Sequence, residues 1–354
     1  MQCLRKFEKG PGHVGLAELP RPRPNPGQVL VQVKRAGICG TDLHILHGQF
    51  SKVKPPVTLG HEIAGVVAEA GLDGSPWKPG DRVTLESEAA SCGACVFCHS
   101  GRTNLCPERL ALGYGQDGGF ADFVLVRETA LHRLPEHISF AEGALCEPLA
   151  VAVHAVQELA TVSPDSIVLI TGPGTIGLLV LQLVRLSGAR AVLAGLESDA
   201  FRFQVAEDLG VDAVITAGPE PFARQLRRIL GRAEVDALFE CSGSPQALNE
   251  AVPCIRSGGF IVQVGLCGRP AEFDMDQLVC RELCLYGSFV HTRATWEKAL
   301  DLLDTNRVSL KELISCELPL ADWRRAFEIA EQGEKLKVLL ALENDSSASE
   351  RSGI

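Results

Sequence analysis

From about residue 166 to residue 287, short apolar runs alternate with helical stretches, and few folds accommodate that alternation. Ile167-Val-Leu-Ile170 reads as a buried strand and 175–187 as the helix after it. Ala191-Val-Leu-Ala194, a helix over 199–209 and Ala213-Val-Ile215 repeat the pattern. Val235-Asp-Ala-Leu-Phe239, Phe260-Ile-Val-Gln-Val264 and Leu283-Cys-Leu-Tyr286 extend it. A helix between two strands returns the chain parallel to itself, so the fold class is α/β, with a doubly wound parallel sheet.

The turn after the first strand carries chemistry. Thr171-Gly-Pro-Gly-Thr-Ile-Gly177 contains G-x-G-x-x-G between a strand and a helix, the context in which that pattern binds a dinucleotide. Gly172 permits the tight turn, Gly174 lets the backbone approach a pyrophosphate, and Gly177 allows helix and strand to pack closely. Thr175 and Ile176 open the helix, whose N-terminus favours phosphate charge. An acid about 20 positions on is expected to hold the ribose hydroxyls. Glu197 lies twenty residues after Gly177. A carboxylate there accepts from a 2′-hydroxyl and repels a 2′-phosphate, so NAD is expected over NADP. Asp199 is a rival for the role, and the neighbouring Arg202 keeps NADP open.

Residues 1–150 have a different texture. They are rich in Gly and Pro, and their short β-like runs include Val29–Val33, Ile63–Glu69 and Arg82–Leu85. A β-rich domain is expected there. Four of the 13 cysteines fall in this segment as Cys92, Cys95, Cys98 and Cys106, spaced C-x2-C-x2-C-x7-C. Two-residue gaps let sulfurs converge on one tetrahedral ion, and four thiolates close its coordination sphere, so a structural zinc is expected. An iron–sulfur cluster also takes four cysteines, and the neighbouring His99 is a further ligand type.

A chain of 354 residues exceeds what one core usually supports, so two domains are the prior. Its net charge of -10 argues against a non-specific nucleic-acid surface. It has no run of about 18 apolar residues that would span a membrane. The start, MQCLRKFEKGPG, lacks a signal-peptide core, and an odd cysteine count does not suit a disulfide scaffold, so a cytoplasmic location is expected.

A second metal set is scattered. Cys39-Gly-Thr-Asp-Leu-His44, Gly60-His61-Glu62 and Cys146-Glu147-Pro148 supply sulfur, imidazole and carboxylate. A catalytic zinc needs about three protein ligands and an open position. Cys39, His61 and one or both of Glu62 and Glu147 meet that need, although spacing alone does not assemble them.

Five motifs in order, GICGTDLH, LGHEIAG, the cysteine lobe, CEPLAVAVHA and GPGTIG, resemble the medium-chain zinc-dependent alcohol dehydrogenase family over about residues 1–342. Glu in the C-E-P motif is similar to the polyol (sorbitol) dehydrogenase-like branch. C-G-T-D-x-H-I is similar to the threonine dehydrogenases. The resemblance implies a Rossmann domain inserted into a β-rich, GroES-like catalytic domain. The expected division is 1–150 catalytic, 151–289 NAD-binding, 290–342 a return to the catalytic domain, and 343–354 a disordered tail. The resemblance also implies two zinc ions per chain, one catalytic and one structural. Cys39, His61, Glu62 and Glu147 match the catalytic ligand positions, and Cys92, Cys95, Cys98 and Cys106 the structural ones. Thr41 matches the start of a proton relay and His44 its end. Lys337 matches the basic residue near the cofactor pyrophosphate. Val151 stands where many relatives place a threonine. The implied reaction moves a hydride between a secondary alcohol, polyol or sugar-like, and NAD. Threonine or an amino sugar is the alternative substrate, and a non-catalytic protein the alternative class. His47, Phe50, Tyr114 and Phe289 are candidate pocket walls. The family commonly forms homodimers or homotetramers, with 283–287 as a candidate contact.

Overall fold

The computed structural model describes residues 1–71 and 74–342, so the expected tail at 343–354 lies outside the described residues. The chain packs as two units. The first comprises Met1–His99, Cys106–Glu147 and the chain from Ile314 onward. Its central strand, Gln28–Gly37, lies antiparallel to Glu62–Ala70. The other edge of that strand is shared. Its first half pairs with Phe123–Arg127 and its last residues with Lys337–Ala341. Arg82–Leu85 and Leu131–Arg133 extend the sheet beyond Glu62–Ala70, and Ile314–Pro319 runs parallel to Lys337–Ala341. Side chains alternate across a strand. Val29, Val31 and Val33 accordingly enter one core with Ile63, Val67, Val83 and Leu85. This is the expected β-rich domain built from both ends of the chain.

The second unit comprises Ser100–Leu105 and Pro148–Leu313. Six strands form one parallel sheet: Ile167–Thr171, Arg190–Gly195, Ala213–Thr216, Val235–Glu240, Ile255–Gln263 and Cys284–Gly287. Numbered in that sequence, their spatial order is 3-2-1-4-5-6. This is the doubly wound dinucleotide order, in which the topology reverses beside the first strand. All five residues of Ile167–Thr171 are buried, as helices on both faces require. The helix Phe222–Leu230, not anticipated from the sequence, ends on Gly231 at φ 75°.

Two boundaries differ from expectation. The first falls after Glu147, inside the helix Cys146–Val153. The return to the first unit begins at Ile314 rather than at residue 290. The helix Arg293–Asp304 buries Trp296, Ala299, Leu302 and Leu303. Beyond it, the Gln182 side chain donates to the Ser309 carbonyl (2.9 Å) and accepts from its N–H (2.7 Å). Those bonds keep the segment on the second unit. Among the described residues, no helix is long and apolar enough to cross a membrane.

Candidate functional site

The first unit gathers Cys39, His61 and Glu62, whose ligand atoms all lie within 4.8 Å of one another. Cys39 is the N-cap of the helix Gly40–Leu46, and its own N–H donates to Asp42 Oδ2 (2.9 Å). His61 follows Gly60, and Glu62 begins the next strand opposite Gly37. A Cβ on Gly37 would sit 1.9 Å from Glu62 Oε2, so glycine there makes room for the carboxylate. The other oxygen, Oε1, accepts from the buried ammonium of Lys337 (2.7 Å), which also donates to the Ile38 carbonyl (3.1 Å).

The residues fit a zinc ion on two counts. One thiol, one imidazole and one carboxylate form a donor set that suits zinc and leaves a coordination position open. One ligand atom, the buried Glu62 Oε2, also has no hydrogen-bond partner among the described residues, and behind the cluster neither do His61 Nδ1 and Asp42 Oδ1. Each such atom costs about 1–3 kcal/mol unless something satisfies it. Asp42 Oδ1 faces His61 Nδ1 at 4.0 Å, where a carboxylate orients a ligating imidazole. Burial alone would lower the His61 pKa, but Cys39, then Asp42 and Glu147, push it well above the ordinary value.

Glu147 is buried nearby but is not part of the three-residue cluster; its Oε1 accepts from Ser87 Oγ (3.3 Å). Burial raises its pKa, opposed by the charge of His61. The preceding Cys146 is fully buried, and burial pushes its thiol up to about 12, so it is held as a neutral core side chain. Thr41 and His44 lie on the helix that Cys39 caps, three residues apart and so on one face. His44 Nδ1 is 3.1 Å from Gln49 Oε1. Tyr114 stands edge-on to His61 and to Phe50, with ring centres at 6.3 and 5.1 Å, and its hydroxyl accepts from Arg109 (3.0 Å). His47 instead contacts Glu331. Phe289 belongs to the second unit, where its carbonyl accepts from Asn104 (2.9 Å).

Cys92, Cys95, Cys98 and Cys106 form the second cluster. The Cys98 sulfur lies 3.8 Å from that of Cys92 and 3.6 Å from that of Cys95. Four sulfurs at about 2.3 Å from one tetrahedral ion stand roughly 3.8 Å apart. The spacing therefore matches zinc and is far too long for a disulfide. N–H groups of Ala94 and Cys95 pull the Cys92 thiol down to about 7. His99 is not in this cluster.

In the second unit a cavity of about 460 Å³ opens over Gly172 and Gly174. Gly172 adopts φ 87°, and a Cβ there would lie 2.7 Å from Ser242. Nothing lies within 4 Å of the Cβ position of Gly174, so the space above it is free for a ligand. A Cβ on Gly177 would lie 2.0 Å from the Gly172 carbonyl oxygen. Thr175 and Ile176 begin the helix Thr175–Leu186, whose first N–H groups lack intrahelical partners.

Two expected cofactor contacts stand elsewhere. Glu197 is exposed and does not line the cavity, whereas Asp199 and Arg202 do. The strand stops at Gly195 and a tight turn follows, so Asp199 Oδ2 folds back to accept from the Leu196 N–H (2.8 Å). Arg202 pairs with Asp199 Oδ1 (3.3 Å). Lys337, expected near the pyrophosphate, is held at the metal cluster by Glu62. Asp42 was absent from the sequence expectations. The C-x-x-D pattern at a helix start was the available signal, because it lets the acid side chain cap the cysteine's own N–H.

Two family models match the chain, an alcohol dehydrogenase GroES-like domain at residues 25–136 and a zinc-binding dehydrogenase at residues 175–305. The chain is 36% identical to a sorbitol dehydrogenase of Halalkalibacterium halodurans, over 96% of this chain and 99% of that one. It is 35% identical to a D-arabitol-phosphate dehydrogenase of Enterococcus avium, over 96% and 97%. Among solved structures, a protein of Sinorhizobium meliloti described as a zinc-binding dehydrogenase bound to NADP superposes with a TM-score of 0.84. That match is 33% identical and covers 96% of this chain and 98% of the other.

Proposed function

Because the chain belongs to the medium-chain zinc-dependent alcohol dehydrogenase family, we propose that it oxidises a secondary alcohol of the polyol or sugar-alcohol class, with NAD as hydride acceptor. The observation that carries this reading is the convergence of Cys39, His61 and Glu62, with Glu62 Oε2 buried and unsatisfied among them. Those three residues would hold a catalytic zinc, with Glu147 beside them, and the four-cysteine lobe would hold a structural one. When bound, zinc supplies Lewis acidity and the nicotinamide supplies the hydride acceptor. Thr41, two residues beyond Cys39, accepts the proton of the substrate hydroxyl, and half-exposed His44 passes it outward. Asp42 keeps the His61 ring in orientation. Tyr114 and Phe50 provide an apolar wall beside His61, and Arg109 fixes the tyrosine hydroxyl.

NAD is preferred over NADP. Asp199 supports this, because its carboxylate lines the cavity and already neutralises Arg202, the cation a 2′-phosphate would need. Thirteen free cysteines suit a reducing, cytoplasmic compartment. The edge strand Cys284–Gly287 exposes Leu285 (47%) and Tyr286 (39%), which supports edge-to-edge pairing of two copies. The relatives named for sorbitol and for a phosphorylated pentitol favour polyols over threonine.

The test is elemental analysis together with NAD reduction on a panel of sugar alcohols, simple alcohols and threonine. Two zinc ions per chain with polyol-dependent NADH formation is the expected result. Turnover of threonine alone would move the substrate class, and one zinc with no turnover would overturn the catalytic reading.

A further inference from the structure

Glu240 ends the fourth strand of the parallel sheet with no surface exposed. Its Oε1 accepts from the Ser242 N–H (2.9 Å), the Gly243 N–H (3.1 Å), the Thr171 hydroxyl (3.2 Å) and the Ser242 hydroxyl. Its Oε2 accepts from the Gly243 N–H (3.0 Å) and from the Gln263 amide. Its main-chain carbonyl accepts from the N–H groups of Val264 and Gly265, both at 2.9 Å. One carboxylate therefore ties together the ends of three adjacent strands, those ending at Thr171, Glu240 and Gln263. The first two flank the point where strand order reverses, which is where ligands bind in open α/β sheets.

What Glu240 holds is a wall of the nucleotide cavity. Ser242 and Ser244 line it, and a Cβ on Gly172 would already collide with Ser242. Across the turn, a Cβ on Gly265 would lie 2.2 Å from the Gly243 N–H. The turn is packed between the glycine loop and the next strand end, and the carboxylate draws it down. Without that pull, Ser242–Ser244 would relax into the space above Gly172.

We infer that Glu240 is a positioning residue for the dinucleotide, shaping the cavity by pinning the Ser242–Ser244 turn to the strand ends without touching the cofactor. The inference rests on the dinucleotide reading above. A carboxylate is needed because all the groups facing it donate. Glutamine in its place sets an NH₂ against either the turn N–H groups or the Gln263 amide.

The test uses full-length, zinc-loaded protein and follows NADH binding by fluorescence. Glu240→Gln is expected to weaken NADH binding by about tenfold or more. The cofactor KM should rise with kcat held, and zinc content should stay unchanged. Adding Gln263→Glu restores the donor–acceptor match at position 240 but gives up the Gln263 donation to the Gly265 carbonyl (2.8 Å), so it is expected to recover part of the affinity. A folded Glu240→Gln that binds NADH as wild type does would overturn the inference. So would a double variant no better than the single. If the single variant does not fold, the double variant decides, NADH affinity within about tenfold of wild type supporting the inference and weaker binding refuting it. Wild-type protein that binds neither NADH nor NADPH defeats the functional reading as well; wild-type binding with an indifferent Glu240→Gln defeats this inference alone.

Discussion

Replacing Lys337 by methionine is expected to tighten zinc binding while weakening the metal-free fold. The ammonium lies 2.7 Å from Glu62 Oε1, with side-chain exposures of 6% and 1%, so the pair is buried. At that distance the attraction is about 6 kcal/mol for an effective dielectric near 20, and desolvation of both groups takes back much of it. Removing one partner strands the other, at a cost of about 3–5 kcal/mol. For a domain of this size that is a Tm loss on the order of 10 °C. The loss is confined to the metal-free state if Glu62 binds zinc, because the ion then replaces the missing charge. If the ion absorbs about 2 kcal/mol of the penalty, Lys337→Met binds catalytic zinc about 30-fold more tightly. Competition with a fluorescent zinc chelator measures this directly, on protein whose cysteine lobe is loaded. Burial lowers the Lys337 pKa, but Glu62 and then Cys39 outweigh it, leaving the ammonium above its ordinary value. The stability it confers is therefore complete below the unfolded lysine pKa, about 10.4, and is lost only as pH rises through the folded value. Titration of Lys337 itself therefore adds no pH dependence to wild-type stability between pH 6 and pH 8. Unchanged or weaker zinc affinity would refute the argument, because it would mean that Glu62 is not a ligand.

Gly37→Ala drives a methyl into Glu62 Oε2 and should cost the catalytic zinc, read as one ion per chain instead of two with the cysteine lobe still loaded. Cys95→Ser should have the opposite selectivity, emptying the lobe and leaving the Cys39 cluster intact by elemental analysis. Asp236 accepts from the Ile167 N–H (2.8 Å), Arg232 (2.9 Å) and Arg256 (2.7 Å). Burial raises its pKa, but these three donors more than reverse that, so the carboxyl sits below its ordinary value. Its stabilisation is present above the unfolded pKa of about 3.9 and is lost as pH falls through the folded value. Asp236→Asn should therefore cost about 1.5–3 kcal/mol at pH 7 and progressively less below pH 4, measured by urea unfolding across pH.

Local patterns carried much of this reading. The buried strand Ile167–Thr171, the glycine turn after it and the helix Thr175–Leu186 are continuous in sequence, so their periodicity and turn chemistry announce them. The four cysteines span fifteen residues, and short loops alone bring their sulfurs together. Cys39, His61 and Glu62 were identifiable as donor types, but their convergence was not. It depends on the register that sets Gly37 opposite Glu62 across two strands. Lys337 is 275 residues from Glu62, and only the pairing of the last strand with Gln28–Gly37 brings it there. The choice between Glu197 and Asp199 turned on where one strand ends, and a single tight turn reverses which carboxylate faces the cavity. Glu240 follows an apolar run and looks like the end of a strand, yet its bonds come from the ends of two neighbouring strands. Chain-local chemistry determined which elements form and which donor atoms are present. Tertiary structure decided which donors face one another, because strand register and the meeting of strand ends are set by packing between segments far apart in sequence.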